Sequence, residues 1–376
     1  MTTDVWTTSF LAALAGPEVS LPFPPRSRAF ANQTIRQSVR LRRAGTAVRI
    51  VLGNEFGRQP LVIDEIVVSG AAKHDVPALR HGVGRWHLAP GVTAASDPVP
   101  LPVDAGEELS ISCFVAGTTE PATYLHSAQR TSEIAAGNQT SDRHLRSAQS
   151  SPSLYWIARV LVDAPAQGPV IVAIGDSITR GDFTTLDADQ RYPDHLQRLL
   201  PAGAVVLNAG LGANRILRSG LGPPMAERFE RDVLSVTETT HVIVMGGIND
   251  IALPKLLGES QPTAAVIVDG LNTLARRARE RGISPLLGTI TPVGESRIGD
   301  FVGSGNEDIR LAVNQAIRAQ AEWPVVDFAA AVAEAGDADR LARSYDSGDG
   351  LHPNDAGARA LAGEVDLNLL TGSASG

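Results

Sequence analysis

Two domains of different class are predicted, an antiparallel β-sandwich over residues 1–165 and an α/β domain over residues 166–376. Three observations carry the prediction. At 376 residues the chain exceeds the size at which a single hydrophobic core stops growing. Its first half alternates apolar and polar residues in short runs, whereas its second half has continuous apolar runs separated by helix-length amphipathic stretches. Between the halves lies Asp163-Ala-Pro-Ala-Gln-Gly-Pro169, polar and proline-bearing as an interdomain linker is.

The alternating runs fall between about Gln33 and Val162 and are broken by Gly, Pro, Asn and Asp. They include Ser38 to Arg42, Thr46 to Leu52, Leu61 to Val68, Glu108 to Val115 and Tyr155 to Val162. A period of two with one apolar face, and no long helical pattern between runs, is the pattern of a sandwich. After the linker the apolar runs are Val170 to Ile174, Val205 to Leu207, Val242 to Met245, Pro285 to Ile290 and Val325 to Phe328. Thr263 to Arg281 and Asn306 to Ala321 lie among them as amphipathic helices. Strands buried on both faces and alternating with helices build a parallel sheet covered on either side. Chemistry in such sheets sits at the carboxyl ends of the strands.

Composition narrows the function classes. A formal net charge of -8 repels a phosphate backbone, so nucleic acid is not an expected partner. Lys73 and Lys255 are the only lysines, so nearly all positive charge is arginine. The single cysteine, Cys113, excludes an intramolecular disulfide and a cysteine-rich metal site, and its apolar surroundings predict core packing. No stretch reaches the ~20 apolar residues of a membrane span. The apolar piece Phe10 to Ala15 lacks a basic flank and is not read as a signal peptide, which fits a cytoplasmic protein or a secreted form whose leader has been removed.

Four short motifs fall at predicted strand ends. Gly175-Asp-Ser-Ile-Thr179 follows the first apolar run and puts Ser177 on the turn leaving the sheet, where Asp-Ser is also a common helix cap. Asn208-Ala-Gly-Leu-Gly-Ala-Asn-Arg215 follows the second. Its Gly210-x-Gly212 start resembles a dinucleotide loop but has Arg215 in place of the third glycine, and such a loop also presents N–H groups to an anion. Gly246-Gly-Ile-Asn249-Asp250 offers an amide at the third strand end, or simply a turn and N-cap. Asp349-Gly-Leu-His352-Pro353 precedes the last helix, at an offset that lets a carboxylate reach an imidazole but that also suits a plain turn. Their combination is more specific than any one of them. A serine needs a base to take its proton, the base needs an orienting acceptor, and the tetrahedral intermediate needs preplaced donors.

In this order the motifs closely resemble those of the SGNH hydrolases, also called GDSL esterases and lipases, over about residues 170 to 370. The resemblance implies a flavodoxin-like three-layer fold and ester hydrolysis through an acyl-serine intermediate. Ser177 would be the nucleophile, His352 the base and Asp349 its orienter. It also implies an oxyanion hole from the Ser177 N–H, a second-loop N–H and the Asn249 side chain, with no catalytic metal or cofactor. One departure concerns that second-loop donor: Ala213 stands where the family glycine usually stands, with Gly212 adjacent. Asn214 and Arg215 are candidate substrate contacts, a loop salt bridge being the other reading of Arg215. Asp176 and Asp250 are expected to brace their loops.

The first half, with Asn32-Gln-Thr-Ile-Arg-Gln37 and Leu52-Gly-Asn-Glu-Phe-Gly57, is similar to the β-rich domain that precedes the catalytic domain in enzymes resembling acetylxylan esterases. That likeness implies a jelly-roll-like sandwich and a small-molecule or carbohydrate ester as substrate, with His126 as a candidate lining residue or a plain sheet histidine. His74, His81, His87, His144, His195 and His241 are read as structural. The competing functions are a lipase or phospholipase-type acylhydrolase, and a carbohydrate-binding protein without catalysis.

Overall fold

The computed structural model describes residues 5–18, 26–71, 75–294, 296 and 305–372, so Lys73 and His74 lie outside the described residues. The chain forms two compact units, Met1–Ala166 and Gln167–Gly376.

The first unit is all-β. One antiparallel sheet orders Thr7–Leu11, Ile157–Val162, Val48–Gly53 and Thr93–Ala95. A second has six strands, with the long pair Ala31–Arg40 and Glu108–Thr118 at its centre. The register of that pair, Ile35 opposite Cys113 and Val39 opposite Leu109, puts the apolar residues of both strands on one buried face. Cys113 is fully buried there, and burial pushes its thiol up to about 12. Gln37 shares the buried face, and its amide donates to the Tyr155 carbonyl at 3.1 Å.

Two expected strands are interrupted, each for a local reason. The run from Leu61 breaks at Asp64, whose carboxylate accepts the Ala116 N–H at 2.7 Å. The run from Tyr155 breaks at Trp156, which takes a left-handed φ of 60° and buries its ring against Phe30. Thr7–Leu11 is a strand outside the predicted range, defined by pairing with Ile157–Val162 rather than by its own pattern.

The second unit has a parallel five-stranded sheet. In chain order its strands are Val170–Gly175, Val205–Gly210, His241–Met245, Ser284–Gly288 and Val325–Val326, and across the sheet they run second, first, third, fourth, fifth. Every residue of the first strand is buried, as a strand covered on both faces must be. Ile171, Ala173, Ile243 and Met245 pack on one face with Tyr192, Leu196, Phe328 and Leu361. Helix Ala264–Glu280 also covers the sheet, with Ile267, Leu271, Leu274 and Ala278 forming its buried stripe. This is the α/β fold expected of an SGNH hydrolase. The strand order reverses at the first strand, so the crevice at the carboxyl ends of the first and third strands is where this topology places a ligand.

Candidate active site

Ser177 leaves the carboxyl end of the first strand as the opening residue of a one-turn helix, Ser177–Arg180. The cap of that helix is Asp176, whose carboxylate accepts the Ile178 N–H at 3.0 Å. The serine hydroxyl therefore has a different partner. His352 Nε2 lies 2.8 Å from Ser177 Oγ, and His352 Nδ1 lies 2.7 Å from Asp349 Oδ2. The other Asp349 oxygen accepts the N–H groups of Leu351 and His352 at 2.9 and 2.8 Å, so one carboxylate holds both the turn and the ring. Helix Asp355–Gly363 follows at once, capped by Asn354. Ser177 and His352 are 7% and 6% exposed.

Burial pushes the Asp349 carboxyl up, but the hydrogen bond and charge of His352, with the two turn N–H groups, outweigh it and hold the group at about 2. Asp349 is thus an acceptor only, which puts the proton of a neutral imidazole on Nδ1 and leaves Nε2 to accept from Ser177. Two nearby carboxyls behave oppositely. Burial drives Asp176 up to about 6, against the Ile178 N–H and the charge of His352. It likewise drives Asp250 up to about 6, although that side chain accepts the N–H groups of Ile216 and Leu217 at 2.8 and 3.2 Å.

The second and third strand ends are joined by buried hydrogen bonds. Asn249, in helix Ile248–Leu257, donates to the Asn214 carbonyl at 3.1 Å, which uses one of its two amide hydrogens. Asn214 in turn accepts from Arg228 Nε at 2.9 Å and donates to the Pro223 carbonyl at 2.8 Å. The Arg228 guanidinium, fully buried, also donates to the Gly175 and Ala209 carbonyls and to Asp232, each at 2.8 Å. One cation therefore ties the ends of the first two strands to the loop between them and Asn249.

Within that loop Leu211 and Asn214 use their N–H groups on the Gly175 and Leu211 carbonyls. Among the described residues the N–H groups of Gly212 and Ala213 have no acceptor. Ala213 holds φ 49°, the left-handed region that favours glycine, so the position where glycine is usual in the resembled family is the one that needs it sterically. At Gly212 a side chain would displace the Arg180 guanidinium, itself paired with Asp182.

The structure thus brings Ser177, His352 and Asp349 together. The other candidate residues have these surroundings. Asn214 is wholly buried, with its side chain bonded to Arg228 and to the Pro223 carbonyl. Arg215 is committed to Glu259 at 2.6 Å and to the Ser219 carbonyl, the salt bridge that was its other reading. His126 is a buried residue of the first unit, with its ring 6.0 Å from that of Tyr124. Asp176 and Asp250 brace their loops as read from sequence. Arg180, Phe183 and Arg228 were missed. The Arg228 to Asp232 spacing of four is the one signal that was there to be read.

The arrangement contains the parts that acyl transfer needs, a hydroxyl on an imidazole nitrogen and unpaired N–H donors following the neighbouring strand. Among the described residues no group of three or more His, Cys, Asp or Glu side chains is placed to hold a metal ion. The GDSL-like lipase/acylhydrolase family profile matches residues 173–360, half of the chain. Similar solved structures include a carbohydrate acetylesterase family member from Sinorhizobium meliloti, 20% identical over 54% of this chain and 99% of that one, with a TM-score of 0.43. The M. smegmatis aryl esterase is 18% identical over 52% of this chain and 94% of its own, with a TM-score of 0.42. A GDSL-like lipase from Bacteroides thetaiotaomicron is 18% identical over 52% and 84%, with a TM-score of 0.41. No curated protein matches the chain. The chain belongs to the GDSL-like lipase/acylhydrolase family and is an ester hydrolase of that type.

Proposed function

We propose that this enzyme removes short acyl groups, acetyl above all, from small-molecule or carbohydrate esters through an acyl-Ser177 intermediate. The observation that carries the reading is the unbroken hydrogen-bond chain from Asp349 through His352 to Ser177, at 2.7 and 2.8 Å. His352 Nε2 takes the Ser177 proton as Oγ bonds to the ester carbonyl carbon, and Asp349 stabilises the imidazolium that forms. The oxyanion is held by N–H groups of Ser177 and of Gly212 or Ala213, with the second amide hydrogen of Asn249. Collapse breaks the bond to the alcohol oxygen, which leaves with the proton from Nε2. A water then repeats the sequence, and the acid is released.

A short acyl group suits the setting, because Ser177 and Asn249 are both nearly buried. We further assign residues 1–165 to a jelly-roll-like sandwich domain and 166–376 to the catalytic domain, which the four-stranded and six-stranded antiparallel sheets of the first unit support. Rates on p-nitrophenyl esters from acetate to octanoate test the acyl preference, with acetate release from acetylated xylan as the carbohydrate arm. A fall with chain length is expected. A preference for octanoate would replace this reading with a lipase-type one, and xylan binding without fluorophosphonate labelling of Ser177 would replace it with a binding protein.

A further inference from the structure

Phe183 does not behave like a stray surface aromatic. Its ring stacks on the His352 imidazole, with centroids 5.0 Å apart and planes at 29°, yet the residue is 57% exposed. Its backbone is held at φ 66°, a region that bulky residues rarely enter. The segment carrying it is fixed on both sides. Thr184 Oγ1 donates to the Gly181 carbonyl at 2.7 Å. Thr185 donates through its N–H and its hydroxyl to the two oxygens of Asp355, at 2.7 and 2.6 Å. Asp355 opens the helix that begins three residues after His352, so the aromatic ring and the imidazole are registered to each other through the same piece of chain. Backbone strain kept at such a place, with a large apolar face turned to solvent, points to a use for that face.

What meets the face follows from the path of the proton. The proton that Nε2 takes from Ser177 must return to the oxygen of the departing alcohol, so that oxygen comes within hydrogen-bond reach of Nε2. The alcohol portion of the ester is therefore the portion beside His352, while the acyl carbonyl faces the N–H donors of the Gly212 loop. We infer that Phe183 is a specificity-determining residue for the alcohol side of the substrate, its exposed ring receiving a flat ring attached to the ester oxygen. The inference rests on Ser177 and His352 acting as proposed above. An aryl group and the apolar face of a sugar offer the same stacking chemistry.

The test compares kcat/KM for three acetyl esters that differ only in the alcohol: phenyl acetate, an acetylated methyl xyloside and ethyl acetate. In Phe183→Leu, which keeps an apolar side chain of similar bulk, the preference for the ring-bearing esters over ethyl acetate is expected to fall about three- to tenfold, the strength of an aromatic pair. Phe183→Trp should restore it. A loss on phenyl acetate alone assigns the face to aryl alcohols, and one on the xyloside alone assigns it to sugars. An equal loss on all three esters, which a merely structural cover for the imidazole would give, overturns the inference, as does an unchanged preference. Ser177→Ala measured beside them separates the two failures: hydrolysis there close to the parent rate sinks the nucleophile assignment, whereas a Ser177→Ala that has lost nearly all activity, with an unchanged preference in Phe183→Leu, sinks only the role of Phe183.

Discussion

The two flanks of the site are held by different means. On one flank Ser177 and His352 meet across 175 residues of chain through one 2.8 Å hydrogen bond between nearly buried side chains. On the other, Asn249, Asn214, Arg228 and Asp232 form a continuous buried network that also grips the ends of two strands. The first flank has a bond that must break and re-form in each turnover. The second has donors that are useful only if they stay still, because preorganised dipoles act without reorganising during the reaction. Reactivity and rigidity are thus assigned to separate sets of side chains, and substitutions on the two flanks should fail in different ways.

The largest effect is expected from Ser177→Ala, with kcat falling on the order of 10⁶-fold and stability changing by less than about 1 kcal/mol. Steady-state kinetics and urea unfolding on the same sample check it, and a large loss of stability would erase the contrast. Arg228→Gln should do the reverse first. It removes one of the two guanidinium partners of Asp232 and one donor each from the Gly175 and Ala209 carbonyls, at a cost of about 3 kcal/mol. Asp232 keeps Arg231, which puts the cost toward the low end for a broken buried pair. Activity measured well below the melting temperature should fall too, as Asn214 and then Asn249 loosen.

A pH series sharpens the comparison. Asp250 has its folded pKa raised from 3.8 to about 6, so between pH 4 and 6 the unfolded chain has lost a proton that the folded one retains. Its contribution is complete below about pH 4, falls as pH rises, and is gone above about pH 6. Asp176 follows the same sign. Asp349, held at about 2, has the opposite one: its stabilisation is present above about pH 4 and is lost only as pH falls toward 2. Asp250→Asn should therefore reduce the drop in unfolding free energy between pH 4 and 6 by about 2 kcal/mol. Urea titrations at both pH values measure it, and an unchanged drop would mean that Asp250 is ionised in the fold. The smallest effect is expected from Ala213→Gly. Relief of the left-handed φ of 49° should outweigh the added freedom of the unfolded chain by no more than about 1 kcal/mol, seen as a small rise in Tm.

Much of this was legible along the chain. The buried runs of the second half became the parallel strands, and the helices drawn at Thr263 to Arg281 and Asn306 to Ala321 formed at Ala264–Glu280 and Asn306–Ala319, because periodicity and burial act locally. Ser177, Asp349 and His352 were visible because each stands in a short motif beside a predicted strand or helix end. Thr7–Leu11 was not, since its five residues become a strand only against Ile157–Val162. Nor could the sequence divide Asn214 and Arg215 between substrate and scaffold, because that depended on Arg228 and Glu259, 14 and 44 residues further on.

By itself, then, the amino-acid order determined the class of each half, the strand ends that carry chemistry and the residue types suited to ester hydrolysis, all of which depend on neighbours a few positions apart. Tertiary structure alone decided which loop side chains are locked away and that Phe183 lies on His352. Those outcomes turn on distances between segments more than a hundred residues apart, or on buried groups that must find a partner wherever the fold provides one.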